Sequence, residues 1–202
     1  MELPDLIAQR RMVRSFDGTA PSHELLAHWA ELALYAPTAG NSAGVRLVVI
    51  EGSAVPEYFA AATDAEWRES ALRAPGLLRA GAVVAAFSCP DLYTSRYGES
   101  DKARSGLQQV DAWSVPYWHT DAAMAMMQLL LLIEHDDWSA CFWGNFRNED
   151  TVRELCGLDE RWKLFGTVLV GRDDGHDRRS TSLSRDVAPR TQRISWLPRA
   201  IN

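Results

Sequence analysis

The stretch AAMAMMQLLLLI, residues 122–133, constrains the fold most strongly. Its apolar side chains fall nearly all round a helical wheel, interrupted by Gln128. A helix apolar on every side must be enclosed, either at the centre of a domain or at a subunit interface. It is too short to cross a hydrocarbon core of about 30 Å. Other elements must therefore wrap around it, and the pattern predicts a buried helix over 119–135. A chain of 202 residues with 47% apolar content can do that as one compact domain. At this size roughly 70% of the unfolded surface can be buried without a metal or disulfide staple. Residues 1–202 are read as one domain, with no repeat, linker or low-complexity tract.

Around this helix the patterning predicts alternating elements. A short helix follows Pro4 over 5–10, and Ser22 caps a helix through Ala36 with apolar residues at i, i+1, i+4, i+7 and i+8. Strands are expected at 46–51 (RLVVIE), 82–88 (AVVAAFS), 139–143 (SACFW) and 165–171 (FGTVLVG). Helical stretches are expected near 55–62 and 65–79, and Asn148 opens a helix that Gly157 closes. Interleaved strands and helices place the chain in the α+β or α/β class, a sheet wrapped by helices. Residues 90–117 are polar, aromatic and irregular, long enough to suggest a lid or binding loop, and 173–202 form a C-terminal extension.

Charge and cysteine usage narrow the function. A net charge of −6 argues against a nucleic-acid binder or a partner of anionic membranes. Cys89, Cys141 and Cys156 are odd in number and widely spaced, which suits a reducing cytosol, and the opening MELPDLIAQRR has no apolar run of a signal peptide. The histidines show no metal-ligand spacing, and the cysteines lack the basic, exposed setting of a nucleophile. There is no G-x-G-x-x-G after a strand and no G-x-x-x-x-G-K-[ST], so any nucleotide-like cofactor must be held otherwise.

Two stretches offer such a holder. In QRRMVRSFD (9–17), Arg10 and Arg14 share a side whether the segment is helical or extended, while Arg11 points elsewhere. Paired guanidiniums either meet surface carboxylates, at about 0–1 kcal/mol per pair, or grip a phosphate bidentately. APTAGNSAG (36–44) is either a plain turn or a small-residue loop that lets something flat approach backbone amides. HDRRSTS (176–182) adds a second arginine pair after the last strand. Trp113, Tyr117 and Trp118 need cover, from the sheet edge or from a stacked ring.

In order along nearly the whole chain, these stretches resemble the FMN-dependent nitroreductase family. RRMVRSFDG (10–18) matches that family's RRSVRxF-type opening, and APTAGNS (36–42) its APSxxNSQP-type loop. DAAMAMMQLLLL (121–132) matches its central dimer helix, SACFWGNF (139–146) its G-x-x-C-x-x-G-x-F segment, and ELCGLDERWKLFGTVLVGR (154–172) its closing strand. The resemblance implies a central, mostly antiparallel sheet wrapped by helices in an interlocked homodimer. It implies that Arg10, Arg11 and Arg14 bind FMN, with Arg178 or Arg179 completing the phosphate clamp. It brings Pro37, Thr38, Ala39 and Asn41 to the flavin from the partner subunit, and sets Phe142, Trp143 and Gly144 along the ring's N5 side. Trp113, Tyr117 and Trp118 would lie over the ring or the acceptor. The implied activity is a cytoplasmic oxidoreductase passing hydride from NAD(P)H through FMN to a nitroaromatic, quinone or enone, with ping-pong kinetics and no catalytic acid or base.

The chain departs from the family pattern at two places. Met12 replaces a serine, and Ala43, Gly44 and Val45 replace Gln-Pro-Trp. The missing Gln-Pro-Trp keeps open a flavin-binding or storage protein without turnover, and the enlarged 90–117 segment a deazaflavin-using or flavin-transforming enzyme. An anion-binding protein without flavin is a further alternative.

Overall fold

In the computed structural model, which describes residues 2–71, 75–145, 147–177 and 180–197, four strands form one sheet. β1 (Val45–Glu51), β2 (Ala82–Ser88), β3 (Ser139–Trp143) and β4 (Lys163–Gly171) lie in the order β1-β2-β4-β3. Every neighbouring pair is antiparallel. All four fall where the sequence predicts them, β1 and β4 starting slightly earlier. Seven α-helices surround the sheet among the described residues: α1 (Leu3–Gln9), α2 (His23–Ala33), α3 (Ala54–Ala62), α4 (Ala65–Ala71), α5 (Pro90–Gly98), α6 (Tyr117–His135) and α7 (Glu149–Leu155).

The period-2 geometry of a strand explains why β2 is apolar at every position but its last. Val83, Ala85 and Phe87 face a core built with Phe16, Tyr58, Phe59 and Leu169. Ala82, Val84 and Ala86 face the opposite core, with Leu26, Trp29, Met126, Leu129 and Val168. Helices α2 and α6 close that second side, where Leu129 and Ile133 are fully buried. Each such side chain contributes about 1.5–3 kcal/mol relative to exposure. The fold of one chain does not enclose α6 completely. Met124 and Met127 remain 39% and 38% exposed, although the helix is apolar nearly all round. Leu3 and Ile7 of α1, and Leu34 and Tyr35 just after α2, are exposed as well, and both helices pack against α6.

Three expectations are corrected. The single helix expected over 65–79 is not continuous: α4 is described to Ala71, and 77–79 form a separate 3-10 turn after Pro75, which does not continue a helix, and Gly76, which sits hard against Ser15. The segment 90–117 is not an irregular loop: Pro90 opens α5 at a position that suits proline, and two 3-10 turns follow. Trp113 and Trp118 are buried there edge-on to Tyr93, so they hold the segment down, whereas Tyr117 is exposed. Asn148 precedes α7 but has a left-handed backbone (φ 58°) and makes no side-chain cap, while Gly157 takes the expected left-handed conformation after the helix.

His119, in the first turn of α6, hydrogen-bonds through Nδ1 to Ser88 Oγ at 3.1 Å and stacks on Phe165. Burial lowers its pKa below the ordinary 6.5. The unfolded chain therefore binds the proton more tightly, and this contribution to stability, present above about pH 6.5, is lost as the pH falls below that value. His119→Gln is expected to flatten the fall in thermal midpoint between pH 7 and pH 5. An unchanged fall would show that other groups cause it.

Candidate functional site

The segment after α1 runs along the outer edge of β3. The Val13 N–H donates to the carbonyl of Ala140 at 2.9 Å, and the Phe142 N–H donates to Met12 Sδ at 3.2 Å. With its backbone held this way, the segment places Arg10, Arg11 and Arg14 around one cavity of about 400 Å³. Met12, Asp177, Ser180, Ser182 and Arg190 complete much of its wall. Arg11 does not point away, as its spacing suggests; it lines the same cavity, turned to Asp173 and Asp177. Arg14 donates to the Met12 carbonyl, and its backbone N–H donates to Asp177.

Arg10 is the exceptional member. Its Nε and Nη1 atoms are buried and make no hydrogen bond among the described residues. A charged donor left unpaired out of water costs about 1–3 kcal/mol or more, and such groups are rare in folded proteins. Glu134 on α6 lies within electrostatic reach; burial raises its pKa while Arg10 and Arg11 oppose that shift. Four guanidiniums and one carboxylate, Asp177, line the cavity; Arg11 pairs with Asp177 and with Asp173, and Glu134 lies near Arg10 and Arg11, so positive charge remains in surplus. Two aliphatic hydroxyls, Ser180 and Ser182, hydrogen-bonded to each other at 2.7 Å, stand at the wall. This is the chemistry of a dianionic phosphate site of a size suited to a small ligand.

A smaller cavity of about 220 Å³ opens where β3 ends. Trp143 and Gly144, both expected at the site, line it with Trp67, Asp64, Asn145 and Arg147. Phe142 lies between this cavity and the arginines, with its backbone against Met12 and its ring against Phe165. Behind the wall, Tyr58 hydrogen-bonds Thr167 and Asn145, and burial pushes its pKa up to about 12, so it stays a neutral phenol.

The loop carrying Pro37, Thr38, Ala39 and Asn41 is elsewhere. Asp121, buried at the start of α6, accepts the Ala39 N–H and the Tyr93 hydroxyl, each at 2.8 Å. Arg96 donates to the Gly40 carbonyl at 2.9 Å. Arg10 sits near Glu134, towards the other end of α6. At ~1.5 Å per residue, the helix between Asp121 and Glu134 spans about 20 Å. Within one chain the loop and the arginines are therefore not brought together. Trp113, Tyr117 and Trp118 stay at the loop's end of the helix. Arg178 and Arg179 lie outside the described residues.

Sequence reasoning missed Arg190, which nothing but a general excess of arginine marks; Ser180 and Ser182 lie in the HDRRSTS stretch it singled out, though it named only the arginines there. It also missed Trp67, on a helix expected for its pattern and not for a site, and Arg147, just beyond the SACFWGNF segment. Asp121 was detectable in principle, as a carboxylate at the head of an apolar helix. Among the described residues no group of His, Cys, Asp and Glu could hold a metal ion, and no helix is long and apolar enough to cross a membrane.

Comparison with known proteins adds three findings. The sequence model of the Nitroreductase family matches residues 7–172. No curated protein matches the sequence. Solved structures share the fold: the nitroreductase CinD from Lactococcus lactis, in complex with nicotinic acid, superposes with a TM-score of 0.71 at 16% identity, covering 93% of this chain and 100% of that one. A protein from Exiguobacterium sibiricum in complex with FMN gives 0.71 at 18% identity, covering 98% of each chain. A third, from Desulfovibrio desulfuricans and also in complex with FMN, gives 0.66 at 19% identity, covering 99% and 100%.

Proposed function

The chain belongs to the Nitroreductase family, and on that premise we propose that it is a cytosolic, FMN-dependent oxidoreductase. It would take hydride from NAD(P)H and reduce a small organic acceptor of the nitroaromatic, quinone or enone type. The observation that carries the reading is the Arg10 guanidinium, whose buried Nε and Nη1 have no partner among the described residues, at the wall of a cavity with a surplus of arginine. A phosphate in the cavity neutralises that charge and accepts from the guanidinium groups that line it. FMN in the Exiguobacterium and Desulfovibrio structures supports the choice of phosphate ester. When bound, the flavin supplies the redox chemistry, alternately accepting and giving up a hydride equivalent.

The protein's own work is positioning and electrostatics. Arg10 and Arg14 hold the phosphate, with Arg190, Ser180 and Ser182 closing over it. Phe142, Trp143 and Gly144 lead from the phosphate cavity to the β3 end, where the ring and acceptor are addressed. The loop of Pro37, Thr38, Ala39 and Asn41 stands about 20 Å of helix away in its own chain, so it serves the site of a second copy. A homodimer built on the exposed sides of α1 and α6 would also cover Met124 and Met127. The test is anaerobic addition of NADPH to the yellow protein. The flavin band is expected to bleach, and an added quinone to restore it.

A second reading, a flavin-binding protein without turnover, is favoured by Met12. Its sulfur is committed to the Phe142 N–H instead of offering a hydroxyl to phosphate. Retained flavin that NADPH and NADH both fail to bleach would establish it.

A further inference from the structure

Three side chains of α5, Tyr93, Arg96 and Tyr97, fall at i, i+3 and i+4 and so share one face of the helix. All three address the loop of residues 36–44. Arg96 Nε donates to the Gly40 carbonyl at 2.9 Å. The Tyr97 ring stands 2.8 Å from where a Cβ at Gly40 would fall, and Tyr93 fills the corresponding space at Gly44. The Tyr93 hydroxyl and the Ala39 N–H share the buried Asp121 carboxylate. The face is itself fixed, because Trp113 packs edge-on against both tyrosines, at 6.1 and 4.7 Å between ring centroids.

The loop needs such a hold. Gly40, Asn41 and Ala43 have left-handed backbones, with φ of 66°, 55° and 51°. Glycine and asparagine tolerate this, but an alanine keeps it only where its surroundings impose it. Arg96 is the charged member of the grip, and its side chain is half-buried. Its Nη atoms donate to the two Asp101 carboxylate oxygens at 2.7 Å each, and Nη1 also donates to Glu99 at 3.0 Å. With the guanidinium plane held on that side, Nε is aimed at the Gly40 carbonyl. On the outer side of the loop, Pro37, Asn41 and Ala43 are exposed.

We propose that Arg96 is a positioning residue for the flavin of a second copy: through the α5 face it fixes the outer edge of the loop that is set against that flavin. The role rests on the oxidoreductase reading, in which the loop serves the second copy's site. A flavin's reduction potential follows the dipoles and hydrogen-bonding groups placed against its ring, so a loosened edge shifts it.

The experiment is a spectroelectrochemical titration of the FMN-saturated protein, its parent form against Arg96→Met and Arg96→Lys, with amide hydrogen exchange over residues 36–44 followed on the same samples. Arg96→Met keeps an unbranched stem and loses the fork. Arg96→Lys keeps the charge, but a single ammonium does not reproduce the planar fork that joins Asp101 to the Gly40 carbonyl. In both variants the loop amides are expected to exchange at least about tenfold faster, the scale of one lost hydrogen bond to a charged group. The ratio of affinities for oxidised and reduced FMN should change at least about tenfold, which is about 30 mV for a two-electron couple.

A potential common to all three proteins overturns the inference, whatever their melting temperatures, because lower stability alone does not move the potential of folded, saturated protein. Unchanged exchange in the loop overturns it as well. So does full recovery by Arg96→Lys, since charge would then act without the fork. A parent protein that takes up no FMN refutes the flavin reading itself, and this role with it.

Discussion

Replacing Arg10 and Arg14 together by glutamine is expected to weaken FMN binding at least about a hundredfold, while riboflavin binding stays within about threefold. Each arginine loses a charge-assisted hydrogen bond to phosphate worth about 1.5–3 kcal/mol, and 1.4 kcal/mol is a factor of ten. The phosphate is the only part of the cofactor that riboflavin lacks, so the two ligands separate a lost anion grip from a damaged ring site. Loss of fold is distinguishable too. Arg10 is C-terminal to α1 and carries buried donors without partners among the described residues, and Arg14 is exposed. Removing those charges relieves a cost in the flavin-free protein, so the double variant should melt no lower than its parent. Equal losses of FMN and riboflavin affinity would move the phosphate elsewhere.

Gly44→Val is expected to destabilise the chain strongly. A Cβ at Gly44 would lie 2.2 Å from Cε2 of Tyr93, a fully buried ring pinned by its hydroxyl to Asp121. The ring cannot swing aside without breaking that bond and unpacking Trp113 and Trp118. Overpacking of this kind costs about 1–3 kcal/mol, and the additional methyls push the loss to or beyond the upper end. For a chain of this length that is a fall in melting temperature of roughly 6–12 °C, measurable by circular dichroism. The paired change Gly44→Val with Tyr93→Ala should not recover the parent's stability, because the Asp121 carboxylate then loses a donor. A single Gly44→Val variant that melts with the parent would show that the loop is less tightly seated than its contacts imply.

The second prediction also shows where reading the sequence reaches its limit. Gly40 and Gly44 suggest an opening for a flat ligand, yet both make way for the chain's own tyrosines. A Cβ at Gly40 would stand 2.8 Å from Tyr97, and the left-handed backbone there (φ 66°) favours glycine in any case. Small residues announce close approach, not what approaches. The strands were legible because β2 and β4 are apolar on both faces and bounded by polar turns, a signal local to each segment. The same holds for α6, whose all-round apolarity announces burial but leaves Met124 and Met127 uncovered in one chain. The segment 90–117 was illegible because its order comes from distant partners. Tyr93, Trp113 and Trp118 pack on one another, and Arg96 reaches back to Gly40. Arginines at 10 and 14 could be paired by spacing alone, but Arg190 enters their cavity from the far end of the sequence, where no periodicity points.

The account stands on the arginine cavity as a grip for a phosphate ester, and the most direct test needs no variant. Flavin fluorescence titrations of the stripped protein with FMN and with riboflavin give two dissociation constants under identical conditions. The account predicts that FMN binds at least about a hundredfold more tightly, the scale of two charge-assisted contacts. Riboflavin binding as tightly as FMN would contradict it.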